Sequence, residues 1–423
     1  MKALLPLCLS LALLHLTSHA QKKKPWKGQA PIKTVNTATK PVQKQYKGVF
    51  ELSNGVYCSN DFAGARLNGV VANNDTLVTI LITPENTPIN FSPWYAFKIW
   101  AKTPKSVYVK ITYPERVRHR YYPKVSDDGK TWRGLHPRRY FPGKAIKAKG
   151  SRALPAEVTM RLNLTKQPLW VAAQELITSK DANTWGDKLS KLPFVTKTVI
   201  GKSREGRPLH LLKIGQANDK KMIMVLSRQH PPEVTGYLCM QSFIETICSD
   251  HPIAKKFRKV YNTYLVPMVN PDGVDNGHWR HSTGGIDLNR DWQAANQPET
   301  QAVQKFMREI KARKGGKFYF GVDFHSTWED IYYTVDPKLK GNMPGLVPKM
   351  IKAAAAEIPR YTPNIKPSMG NDGRYLTSAR YFFWKHQAEA LTFEIGDHTP
   401  RPLIKKKGKF SALKLMELML KAQ

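Results

Sequence analysis

Three apolar runs in the second half of the chain each end on residues that can hold a metal or move a proton. MIMVL (222–226) leads within a few positions to His230 and, three residues on, Glu233; FYFGVDF (318–324) ends at His325; ALTF (390–393) ends at Glu394. Imidazole nitrogen and carboxylate oxygen are donors that zinc accepts at about 2.0–2.2 Å, and a catalytic zinc commonly takes three protein ligands and a water. An H-x-x-E pair alone is short enough to arise by chance. The stretch VPMVNPDGVDNGHWRHSTGGIDLNRDW (266–292) adds Arg280, Asn289 and Arg290 in a Pro-, Gly- and Asn-rich loop. Arginine is seldom buried unpaired, so arginines in such a loop are unusual as packing. Two histidines and two glutamates at three strand ends, with arginines between them, fit metal-assisted hydrolysis.

The elements that must position these residues are also visible. After about residue 166, strand-like and helix-like segments alternate. WVAAQELIT (170–178) has helical spacing, MIMVL suits a buried parallel strand, Val234 to Cys248 reads as a helix, and TYLVPMVN (263–270) is another apolar run. This alternation predicts an α/β domain with its site at the strand ends. Residues 46–165 differ: TLVTILIT (76–83), WYAFKIWAK (94–102), SVYVKITY (106–113) and EVTMRLNL (157–164) alternate apolar and polar positions, and SDDGK (126–130) marks a turn. The pattern predicts a small antiparallel β-sandwich. The expected order is a signal peptide at 1–20, a basic linker at 21–45, the sandwich at 46–165, the α/β catalytic domain at 166–400 and a basic helix or tail at 401–423.

The first twenty residues have one positive charge, an apolar run from Ala3 to Leu16 and a small-residue end at Ala20, the pattern of a secretory signal. The chain is thus expected to be exported, to a periplasm or beyond the cell, and no later stretch predicts a transmembrane helix. Cys239 and Cys248, nine positions apart on a helix, would lie about 13 Å apart, too far for a disulfide. Lysine and arginine number 67 against 32 aspartate and glutamate, a formal charge of +35. Such a field favours acidic peptides or anionic wall and surface polymers as partners; export argues against nucleic acid.

RQHPPE, NPDG…WR…DLNRDW, DFHS and TFEIGD, in that order, resemble the zinc metallocarboxypeptidases. HPPE followed by VPMVNPDGVDNG, and the preceding NTPINFSPWYAFKIW (86–100), are most similar to the cytosolic-carboxypeptidase-like branch, which removes glutamates and carries an N-terminal β-sandwich. The resemblance spans roughly residues 46–400 and implies a mixed-sheet catalytic domain with one zinc ion. It makes His230, Glu233 and His325 the zinc ligands, and Asp287 the residue that orients His230. Glu394 becomes the general base, Arg280 the stabiliser of the oxyanion, and Asn289 with Arg290 the clamp on a terminal carboxylate. Arg380, in YLTSARYFFWK (375–385), falls where glutamate-removing members carry a pocket arginine, and Tyr375 is the nearest candidate for the tyrosine over that pocket. The implied substrate is a peptide or protein C-terminus, preferably acidic. A peptidoglycan stem-peptide hydrolase and a non-catalytic, basic wall-binding protein are the alternatives. Asp272 and Gly273 read as turn formers, His278, His281 and His398 as loop or surface residues, and RYFFW as core.

Overall fold

The computed structural model describes residues 40–86, 91–147, 153–369 and 373–422. Residues 1–20, expected to be a signal peptide, and most of the expected basic linker lie outside them.

The N-terminal domain stacks two sheets. One orders β1 (Val49–Glu51), β2 (Val56–Ser59), β5 (Ala96–Ala101), β13 (Leu169–Ala172), β7 (Lys124–Ser126) and β8 (Arg133–Gly134). The other orders β3 (Gly69–Ala72), β4 (Leu77–Leu81), β6 (Lys105–Thr112), β12 (Val158–Leu164) and β9 (Tyr140–Pro142). A hairpin of β10 (Ala145–Lys147) and β11 (Ala153–Pro155) stands apart. Strand alternation sets the faces as expected: Val107, Val109 and Ile111 are buried while Tyr108 is exposed. Pairing is antiparallel except between β4 and β6, which run parallel. The segment 170–178 departs from its helical spacing. Its first residues form β13, which pairs with β5 and β7 and buries Val171 and Ala172, so pairing on both edges overrides a weak local preference. The sandwich therefore extends past residue 165 to Ala172.

The second domain is built on one mixed sheet ordered β14 (Val195–Lys202), β15 (Pro208–Ile214), β17 (Asn262–Val266), β16 (Lys221–Ser227), β18 (Lys317–Thr327), β21 (Glu389–Gly396), β19 (Ile331–Val335) and β20 (Ile365–Met369). Its centre, β17-β16-β18-β21, is parallel. Both faces are covered, which is why β16 is apolar without alternation. Ile223 and Val225 face a layer containing α2 (Val234–Cys248), α3 (Pro252–Val260), α6 (Leu346–Ala356) and α8 (Arg401–Lys421). Met222, Met224 and Leu226 face α5 (Pro298–Lys314) and α7 (Ser378–His386). Two further helices, α1 (Ser179–Leu189) and α4 (Pro271–Asp275), lie beside the domain junction. The basic C-terminal segment is a helix, and an integral one: Ile404, Ala412, Leu415 and Met416 are buried in the core. Tyr381, Phe382 and Phe383 of the RYFFW run are likewise core. Cys58, Cys239 and Cys248 are free thiols.

Candidate metal centre and active site

The central strands deliver the chemistry at their C-terminal ends. β16 stops at Ser227, and the chain turns at Arg228, whose φ of +55° is strained for a side chain of its size. That turn carries His230 and Glu233 to the start of α2. β18 and β21 run in register so that His325 pairs with Glu394. α2 sits directly on the end of β18, with Thr235 Oγ1 donating to Ser326 Oγ (2.8 Å). At Gly236 a side chain is excluded, because a Cβ there would fall 2.3 Å from the carbonyl oxygen of His325.

His230, Glu233 and His325 converge. His230 Nδ1 lies 2.8 Å from Glu233 Oε1, His325 Nδ1 2.7 Å from Glu233 Oε2, and the two Nδ1 atoms are 3.2 Å apart. All three residues are buried, and among the described residues they form the single grouping of this kind able to hold a metal ion. Their donor set fits zinc. Two ligands at zinc distances on a tetrahedron lie about 3.3 Å apart, close to the separation of the imidazole nitrogens. Each histidine also gives its remaining nitrogen to a carboxylate: His230 Nε2 is 2.9 Å from Asp287 Oδ1 and His325 Nε2 is 2.7 Å from Asp323 Oδ2. That pairing fixes tautomer and ring orientation and raises ligand basicity.

The electrostatics favour a cation at this point. Burial opposes charge on Glu233, but His230 and His325 outweigh it and hold its carboxyl well below the usual range. Burial also opposes a charged His325, yet Asp323 and Glu233 raise its affinity for a proton well above that of free imidazole. Glu394 responds in the opposite sense. Burial, then the charge of Glu233, push its carboxyl up to about 7, and its Oε2 has no hydrogen-bond partner. A carboxyl poised near neutrality beside a metal centre suits proton transfer. Arg280 approaches through Asp287, donating from Nε to Oδ2 at 2.8 Å.

Residues 182–380 match the sequence profile of the Peptidase_M14 family, described as zinc carboxypeptidase. They form a zinc carboxypeptidase domain. Similar curated proteins include cytosolic carboxypeptidase 6 of Caenorhabditis elegans, 33% identical over 32% of this chain and 31% of that protein. Cytosolic carboxypeptidase 1 of Gallus gallus is 33% identical over 33% of this chain and 11% of that protein. The matches thus span about a third or less of those relatives. Among solved structures, a putative carboxypeptidase A from Shewanella denitrificans covers 86% of this chain and 99% of its own, with a TM-score of 0.71 at 19% identity. A metallo-carboxypeptidase from Burkholderia cenocepacia covers 87% and 100%, with a TM-score of 0.72 at 16% identity. At these identities the likeness is one of fold, and it extends over both domains.

Other expected residues of the zinc carboxypeptidase domain fall at varying distances from the centre. Asn289 abuts it, with Nδ2 3.3 Å from His325 Nε2, while its Oδ1 accepts from the backbone N–H of Ser378 at 3.0 Å. Arg290 donates from Nη1 to the Asn289 carbonyl (2.7 Å), and its buried Nε has no hydrogen-bond partner. Arg380 is buried in the first turn of α7, the helix that Ser378 ties to Asn289 and, through its hydroxyl, to Asp323. Tyr375 packs against α7. Its ring packs on Tyr381 and under Lys385, beside Arg308, Lys311 and His386, in a cavity of about 770 Å³.

Loop residues sort as expected, with one addition. His278 Nδ1 bonds the His281 carbonyl (3.0 Å), and His398 Nε2 the Arg120 carbonyl (3.2 Å). Asp272 lies in the first turn of α4 but does more than turn the chain, since it receives Ser203 Oγ (2.6 Å) and Arg207 Nη1 (2.7 Å). Asp323 is the partner that reading the sequence left unassigned. Residues i and i+2 of a strand share a face, so Asp323 in DFHST already stood on the face of His325.

Proposed function

We propose that this chain is a zinc-dependent carboxypeptidase that removes C-terminal residues, with a preference for glutamate or aspartate. The convergence of His230, Glu233 and His325 beside a Glu394 carboxyl raised to about 7 carries this reading. Bound zinc would supply a Lewis acid that polarises the scissile carbonyl and acidifies a water. Asp287 and Asp323 hold the two imidazoles as neutral donors. Glu394 takes the proton of the attacking water and returns it to the leaving amine, a cycle that needs a carboxyl able to exist in both forms near neutrality. Arg280, fixed through Nε, offers its Nη groups to the oxyanion. Arg290 binds the terminal carboxylate and so restricts cleavage to chain ends.

The acidic preference rests on Arg380, set on the helix next to Asn289, and on the formal charge of +35, which steers acidic chains inward. Export belongs to the same proposal and rests on residues 1–20; N-terminal sequencing of the mature protein checks it. The test of function is a panel of N-blocked dipeptides ending in Glu, Asp, Phe or Lys, assayed with and without chelator. Glutamate should be released fastest, and chelation should abolish release. Faster release of Phe or Lys would end the acidic preference; no release from any peptide would end the carboxypeptidase reading.

A further inference from the structure

The loop that carries Arg280 is held from the other domain. Glu85 follows β4 in the sandwich, yet it is 0% exposed and its carboxylate faces residues 279–281. Oε2 accepts from the Trp279 N–H (2.7 Å), and Oε1 from the N–H groups of Arg280 (3.1 Å) and His281 (2.9 Å). The same Oε1 lies 2.8 Å from His281 Nδ1. Three successive backbone amides therefore converge on one carboxylate, an anion-binding concavity filled by a side chain of the neighbouring domain. Burial opposes the charge of Glu85, but His281, His278 and Arg66 outweigh it and keep the carboxyl ionised below the usual range.

A second contact fixes the same loop independently. The Trp279 side chain is fully buried in the hydrophobic cluster of the sandwich, with its Nε1 donating to the Trp94 carbonyl (3.0 Å). Two positions earlier, Gly277 has a φ of +64° and lies so close to Ala65 that a Cβ would fall 2.2 Å from the Ala65 carbonyl oxygen. The main chain at 277–281 is thus seated on the sandwich. From it the Arg280 side chain reaches Asp287, and Asp287 reaches His230.

We infer that Glu85 is a positioning residue: through it the N-terminal sandwich sets where the Arg280 guanidinium stands over the reacting carbonyl. The inference rests on the oxyanion role proposed for Arg280. Glutamine at position 85 retains one acceptor oxygen and turns an N–H₂ toward amides that need an acceptor, so the loop must shift. Displacement by about an ångström at an electrostatic stabiliser is enough to cost on the order of 100-fold in rate.

The test compares E85Q, R280A and the unaltered zinc-loaded protein. It measures kcat, KM, zinc content, thermal stability, and affinity for a phosphonate peptide, which mimics the tetrahedral oxyanion. In E85Q we expect kcat and phosphonate affinity to fall together by roughly 10–100-fold, with KM and zinc content within about two-fold of the unaltered protein. R280A should lose more of both. Loss of phosphonate affinity in R280A but not in E85Q overturns the positioning role alone. Unchanged affinity in both removes the oxyanion role of Arg280 and the inference with it. A uniform fall in KM-weighted activity, zinc content and thermal stability would show Glu85 to be merely structural, and would also overturn the inference. Should E85Q fail to fold, E85D keeps the charge, displaces it by one methylene and carries the same comparison.

Discussion

Asp323 Oδ2 stands 2.7 Å from His325 Nε2, two residues along the same strand, on the side of the ring away from Glu233. The same oxygen receives Gln229 Nε2 and Ser378 Oγ. Gln229 in turn accepts from Trp292 Nε1 at 2.9 Å. One carboxylate thereby joins the turn before His230, the strand bearing His325 and the first residue of α7. His325 is oriented by its own strand neighbour, whereas His230 depends on Asp287, 57 residues away.

Replacing Asp323 by asparagine removes that charge with little change in shape. We expect zinc affinity to fall about 10–100-fold, the range usual for partners of metal-bound histidines. Competition with a chromophoric chelator measures it, and affinity unchanged from the native protein would contradict the role.

Arg380→Gln tests the acidic preference from the protein side. The kcat/KM for peptides ending in Glu should fall at least about ten-fold relative to those ending in Phe, since a charged partner would be lost only for the acidic side chain. An equal fall for both would mean that Arg380 acts on the fold and not on specificity.

Glu389 offers a prediction about pH and stability. It is buried at the start of β21, and burial, opposed by backbone hydrogen bonds from Met343 and Gly341, raises its carboxyl to about 7. The folded state therefore prefers the neutral acid. That contribution is fully present below the unfolded value, near 4.5, and is lost as pH rises through about 7. E389Q, permanently neutral, should melt a few degrees above the unaltered protein at pH 8 and close to it at pH 5. A melting difference independent of pH would refute the assignment.

Much of this arrangement was legible in the sequence because the fold places its donors where apolar runs stop. β16, β18 and β21 are buried on both faces, so their ends were marked by the first polar residues after each run. His230, His325 and Glu394 stand there. What escaped was what pairing alone decides. Residues 170–172 have helical spacing but sit between β5 and β7. Glu85 gives no local sign of binding Arg280, 195 positions away, because its role exists only once two domains meet. Tyr375 was placed by proximity to a motif, and its ring packs on Tyr381 and Lys385 of α7.

In the proposed reaction Glu394 moves the proton at the centre held by His230, Glu233 and His325. Glu394→Gln, with bound zinc quantified in the same sample, tests it most directly. We expect one zinc per chain in both the variant and the unaltered protein, with kcat of the variant for a peptide ending in Glu reduced by at least about 10³-fold. Native turnover with zinc retained would contradict it.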